Sequence, residues 1–242
     1  MLGAVEGPFK FTKWQRVVPY RYALEPLSVK GSVLPFGGRF NIGDINNIVF
    51  TPFPALYIAK DKLTALQESL CQKINPGKEQ KALEFALLTP TSTTNVSISG
   101  TINTIINLDH AKRLQAFVDV IQNFQVSESL VRSAKIIKLP PPDLVRTVES
   151  LLDSLGFDEW RNWPTQLGVP HPSQIFGQIV MECGIEGIHY RSKFSGKRCL
   201  VIYYQNFTEE NGSFVKLDDK APQATSETRI DAEVWARIKG AI

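Results

Sequence analysis

Short runs of β-branched and apolar residues, each closed by proline, glycine or a polar turn, alternate along this chain with stretches whose apolar residues recur at helical spacing. That alternation points to an α+β fold, in which helices flank a β-sheet. Strands are expected over residues 81–88, 102–108, 134–139 and 199–204. A helix is expected over residues 61–73, capped by Asp61, with Leu63, Leu66 and Leu70 on one face. A second begins at Asp143, after three prolines at 140–142, carries Leu144, Val148, Leu151 and Leu155 on one side, and stops at Gly156. A third runs over 172–183, where Ile175, Phe176, Ile179, Val180 and Cys183 form an apolar face and Gly184 supplies a left-handed stop. A fourth spans 110–124. The polar, Pro- and Gly-punctuated stretch 211–228 reads as a mobile connection to a short terminal helix near 231–239. The chain is therefore expected to divide into a main body, 1–206, and an appendage, 207–242, packed on or near it.

Composition narrows the class. At 43% hydrophobic over 242 residues, the chain can bury one large core, yet it holds no apolar run long enough to cross a membrane. Glu6, Lys10, Lys13 and Arg16 interrupt the first twenty residues, which lack the apolar core of an export signal, so a cytoplasmic protein is expected. Cys71, Cys183 and Cys199 are odd in number, widely spaced and flanked by apolar residues, a pattern of reduced thiols rather than disulfides. A net charge of +3, with scattered Lys and Arg, is too mild for a nucleic-acid partner. The densest basic group, Lys193, Lys197 and Arg198, suits a small anion.

Several chemistries lack their residues. His110, His171 and His189 stand at no metal-ligand spacing from another His, Cys or acid, so no metal is expected. There is no glycine fingerprint between a strand and a helix, no phosphate loop ending in Gly-Lys-Ser/Thr, and no nucleophile elbow. What the chain does carry is Gly37-Gly38-Arg39-Phe40-Asn41, then Ala55-Leu56-Tyr57-Ile58-Ala59, then Glu68. Paired glycines let backbone approach a ligand, a guanidinium grips phosphate or carboxylate through two hydrogen bonds, and a carboxylate steadies a developing cation. Each residue also has a plainer reading. Arg39 suits a solvated turn, Arg21 a structural salt bridge, Tyr57 a core strand, Glu68 a solvated helix face and Ser192 a turn. Ser173 and Gln174 suit a helix cap.

The ordered set of Tyr20-Arg21-Tyr22, Phe36-Gly37-Gly38-Arg39-Phe40-Asn41, Pro54-Ala55-Leu56-Tyr57-Ile58-Ala59, a helix with Glu68, and Gly187-Ile188-His189-Tyr190-Arg191-Ser192 resembles the RES domain family, named for an arginine, a glutamate and a serine. Phe40 stands where the family usually has Trp, which keeps an aromatic wall. Between residues 88 and 160 the match lapses, and the segments 140–142 and 158–160 are expected to reshape the pocket or meet a partner. The resemblance implies an ADP-ribosyltransferase-like split β-sheet with flanking helices forming an NAD cleft, and an enzyme that consumes NAD as substrate, without cofactor or metal. It assigns catalysis to Glu68, Arg39, Tyr57 and Ser192, and NAD binding to Arg21, Tyr22, Gly38 and Asn41. Water, inorganic phosphate or a protein side chain would be the acceptor, making a glycohydrolase, a phosphorylase or an ADP-ribosyltransferase. Many members are toxins neutralised by an Xre-like antitoxin, which implies such a partner here. A non-catalytic module that holds a nucleotide or peptide in the same pocket is the alternative from another class.

Overall fold

A computed structural model of the chain describes residues 4–70, 93–123, 128–136, 138, 145–156 and 160–241. Its strands are β1 (Val5–Glu6), β2 (Phe9–Pro19), β3 (Gly37–Gly38), β4 (Asn41–Ile42), β5 (Leu56–Ala59), β6 (Thr93–Ile102), β7 (Ile105–Asn107), β8 (Gly187–Arg191), β9 (Arg198–Ile202), β10 (Phe214–Leu217) and β11 (Arg229–Ile230). Its helices are α1 (Lys62–Leu70), α2 (Gln115–Ile121), α3 (Glu128–Ile136), α4 (Val148–Leu155), α5 (Pro172–Glu182) and α6 (Ala232–Ile238). Nine strands form one mixed sheet in the order β1-β7-β8-β9-β5-β2-β6-β10-β11, in which only β7 and β8 pair in parallel. β3 and β4 make a separate small hairpin. The α+β class, with helices flanking the sheet, agrees with the reading of the sequence.

Helices cover both faces of the sheet. In β9, Cys199 and Val201 point to one core, shared with Phe117, Val118, Leu151, Leu155, Phe176 and Val180 of α2, α4 and α5. Leu200 and Ile202 point to the other, which holds Trp14, Leu56, Ile58, Tyr204 and Trp235 of α6. Burial on both sides explains why this strand is continuously apolar rather than alternating, and why it was legible as a strand. The expected run 102–108 is broken by a turn at 103–104, whose backbone N–H groups donate to the buried Glu186 carboxylate.

Three helix boundaries follow the expected chemistry. Asp61 accepts from the Thr64 N–H at 3.1 Å and starts α1; Asp231 accepts from the Val234 N–H at 3.2 Å and starts α6. α5 opens with Pro172 and is followed by Gly184 at φ +74°. The expected helix 110–124 is realised as a 3-10 turn, Ala111–Leu114, leading into α2. The strand expected over 81–88 lies outside the described residues.

Three expectations are corrected. Residues 134–136 are not strand but the last turn of α3, where Glu128 pairs with Arg132 one turn on at 3.6 Å. Local helix preference outweighs the β-branched Ile136 that suggested a strand. The cap of α4 is not Asp143, which lies outside the described residues, but Thr147. Its side chain accepts from the Ser150 N–H at 3.1 Å while the Ser150 hydroxyl accepts from the Thr147 N–H, a reciprocal capping box. Within 211–228, Phe214–Leu217 is a sheet strand laid antiparallel on β6, with Val215 fully buried. Only Val215 and Leu217 turn inward, and two core residues in a four-residue strand make a weak pattern. Cys199 is a buried thiol and Cys183 is exposed; Cys71 lies outside the described residues. Among the described residues no helix is long and apolar enough to cross a membrane.

Candidate active site

The hairpin β3–β4 carries Arg39 at its tip and is held from every side. Gly37 sits at φ +89°, a conformation open to glycine and costly for other residues. A Cβ on Gly38 would stand 2.4 Å from the Tyr57 hydroxyl oxygen, so only glycine lets the two approach. Asn41 is fully buried behind the tip. Its Oδ1 accepts from the Gly38 N–H at 2.9 Å and the Tyr57 hydroxyl at 2.8 Å, and its Nδ2 donates to the Ser32 and Phe53 carbonyls. Every donor and acceptor of that amide is used. The Phe40 N–H donates to the Tyr57 oxygen at 2.9 Å, and the Tyr203 hydroxyl donates to the Phe40 carbonyl at 2.7 Å.

The first turn of α5 completes the clamp. Gln174 Nε2 lies 2.7 to 3.1 Å from the carbonyls of Phe36, Gly38 and Asn41, while its Oε1 accepts from the His171 N–H. Gln174 thus caps its helix and also ties that helix to the hairpin. One turn on, a Cβ on Gly177 would stand 2.0 Å from the Phe40 carbonyl oxygen, which shows how closely α5 lies on the loop. Arg39 itself donates from Nη1 to the Leu155 carbonyl at the end of α4, at 3.3 Å.

These supports frame a cavity of about 470 Å³ between the hairpin, the central strands and α1. Arg21, Tyr22, Gly38, Arg39, Tyr57 and Glu68 all line it. Arg21 stands on a 3-10 turn, Tyr20–Tyr22, with its guanidinium 4.9 Å from the Tyr22 ring centre. Tyr57 comes from β5, where burial raises its phenol above the ordinary value and keeps it neutral. Glu68 comes from α1, and its Oε2 accepts from the Tyr190 hydroxyl at 3.2 Å. The helix face whose plainer reading was solvent borders the cavity.

Two predicted site residues are placed elsewhere. Asn41 lies behind the wall and acts on the cavity only through Gly38 and Tyr57. Ser192 is 2% exposed and belongs to the turn between β8 and β9, where its hydroxyl accepts from the Phe194 and Ser195 N–H groups at 3.2 and 3.3 Å. Two hydrogen bonds to backbone at a tight turn are the plainer of the roles its sequence allowed.

The cavity also recruits residues to which the sequence reading gave no individual site role. Arg16, Trp160, Arg161 and Tyr190 line it. Arg161 stacks its guanidinium 4.3 Å from the Trp160 ring centre, and Trp160 closes the segment expected to reshape the pocket or meet a partner. Arg16 donates from Nη2 to the Ser28 carbonyl at 2.7 Å, and burial brings it down to about 10, still cationic at neutral pH. Tyr190 lay inside the Gly187 to Ser192 motif, the one signal that could have found it. Arg16, Arg21, Arg39 and Arg161 face a single acid, Glu68, among the lining residues. The result is a cationic, aromatic-walled cleft with one carboxylate, suited to an anionic ligand that bears a ring.

None of the curated proteins matches the chain in sequence. Among solved structures, a chain of the M. tuberculosis MbcT–MbcA toxin–antitoxin complex is similar at 13% identity with a TM-score of 0.46, covering 97% of this chain and 92% of that one. The profile of the RES domain matches residues 13–219, a span that holds every residue lining the cavity. This chain belongs to the RES domain family.

Proposed function

We propose that the protein is an NAD-consuming enzyme that cleaves the bond between nicotinamide and ribose. The observation that carries this reading is convergence. Arg21, Arg39, Tyr57 and Glu68 come from separate segments of the chain, and all of them line one cavity of about 470 Å³. Nicotinamide in NAD is already a good leaving group, and the transition state resembles an oxocarbenium ion. Glu68 hydrogen-bonds a ribose hydroxyl and stabilises the developing positive charge, an electrostatic task. Arg21 and Arg39 hold the diphosphate, where planar paired donors match the oxygens. Tyr57 and Tyr22 pack on the nicotinamide ring.

Family membership supports a toxin role, in which loss of NAD harms the host until a partner protein closes the cleft. The partner is an antitoxin of the Xre-like kind, and it presents a carboxylate-bearing segment to Arg21 and Arg39.

The test is incubation of purified protein with NAD, with and without phosphate, followed by chromatography of the products. Wild type is expected to release nicotinamide, and the second product names the acceptor: ADP-ribose for water, its phosphorylated form for phosphate. Glu68→Gln keeps volume and fold but is expected to lose about a hundredfold or more in rate. In cells, induction of wild type should lower NAD and arrest growth, and Glu68→Gln should do neither. Intact NAD after prolonged incubation with wild type would leave a binding module. Near-normal turnover by Glu68→Gln would remove Glu68 from the chemistry.

A further inference from the structure

Tyr190 has no part in the mechanism above, yet it is a sheet side chain that reaches Glu68. It stands on β8, between β7 and β9, and is 6% exposed. Its ring packs edge to face on Phe40 with centres 5.1 Å apart, and Phe40 is itself held by Tyr57 and Tyr203. The Tyr190 hydroxyl therefore has little freedom in position. Glu68, in contrast, stands on α1 at the end of three rotatable bonds, so a hydrogen bond from a fixed donor narrows the orientations its carboxylate takes. The Tyr190 hydroxyl donates to Glu68 Oε2 at 3.2 Å across 122 residues of sequence, and both residues line the same cavity.

We propose that Tyr190 is a positioning residue. Its fixed phenol selects one orientation of the Glu68 carboxylate and so places the charge that meets the ribose. This rests on the NAD reading, and it adds a residue that acts through Glu68 rather than on the substrate. Burial, and then the carboxylate itself, hold the Tyr190 phenol well above its ordinary titration range, so the donor proton is present throughout the working pH range. A hydrogen bond to a charged acceptor in a partly buried site is strong enough to matter to rate.

The test is a double-mutant cycle on NAD turnover. Tyr190→Phe removes one oxygen and keeps the ring on Phe40. It is expected to lower kcat by about tenfold while KM and the NAD dissociation constant stay within twofold. In the Glu68→Gln background, measured at high enzyme concentration, the same substitution should cause no further loss, because the group it orients has lost its charge. Three results would overturn the proposal. Tyr190→Phe could retain wild-type kcat; it could lose affinity rather than rate; or it could lose the same factor in both backgrounds, which would mark a general effect on the fold. Thermal midpoints within a few degrees of the parent confirm that the variant folds, and a second substitution, Tyr190→Leu, should show the same cycle with a larger loss. The two readings fail separately. Absence of turnover in wild type ends the NAD reading, whereas turnover that is indifferent to Tyr190 ends only this one.

Discussion

Arg39 shows what a single residue needs before it can work. Its charge is written in the sequence, but its place is set by Asn41, Tyr57 and Gln174, which fix the backbone on both sides of it. Its guanidinium reaches the Leu155 carbonyl with one arm and borders the cavity with the rest. Arg39→Lys keeps the charge and loses the planar fork, so NAD affinity is expected to fall by about tenfold with little change in thermal stability. Titration of the variant with NAD checks this, and wild-type affinity would make Arg39 a structural residue. Glu68 was legible only by resemblance. On a helical wheel it leaves the Leu63, Leu66 and Leu70 stripe, which the sequence alone reads as a solvated face. Solvated and cavity-facing positions look alike until the neighbouring elements are in place. Ser192 failed in the other direction: a serine after a strand suits both a ligand and a turn, and two backbone N–H groups claimed it.

At the scale of elements, α5 is the part on which the site is hung. Gly177 lets the helix touch the Phe40 carbonyl, and a methyl group there would collide with backbone that cannot swing aside. Gly177→Ala is therefore expected to cost about 1 to 3 kcal/mol in stability, despite the better helix propensity of alanine, and to weaken NAD binding by shifting the Arg39 loop. Denaturant unfolding together with NAD titration checks both halves; a variant as stable as wild type would show that α5 is not pressed against the loop. Elements with strong local signals were readable. α1, α5 and α6 have their capping residues, and β9 has its unbroken apolar run. α3, the start of α4 and β10 were not, because each depends on something the local pattern does not carry. For β10 that is the open edge of β6, which gives a four-residue segment, set in a polar stretch, a ladder to join.

For the molecule as a whole, two buried histidines contribute to the response to acid. His171 caps α5, its Nδ1 accepting from the Ser173 N–H at 3.1 Å; burial, and then Arg39, push it down to about 3. His189 lies among Phe9, Trp14 and Asn107, and burial, then Arg198, push it down to about 4. Both are neutral in the folded state, while an unfolded histidine takes up a proton below about pH 6.5. Above that pH protonation does not affect folding. As pH falls from 6.5 towards 4, the unfolded chain binds protons that the fold refuses, and stability falls by at most about 2 kcal/mol per histidine at pH 5. Thermal unfolding between pH 7.5 and 4.5 should show this decline, and His189→Gln should flatten it; an unchanged midpoint down to pH 5 would mean that the imidazoles protonate in place. By itself the sequence determined the α+β class, the cap of α1, and, through ordered motifs, the family and six of the residues that line the cavity. Those features rest on residue type and near-neighbour spacing, which a linear chain states directly. Only the tertiary structure decided that Ser192 closes a turn, that Asn41 and Gln174 stand behind the wall, and that Tyr190 reaches Glu68. Those outcomes depend on which polar groups, distant in sequence, lose water together and must satisfy one another, and that is settled only when the sheet and helices close around them.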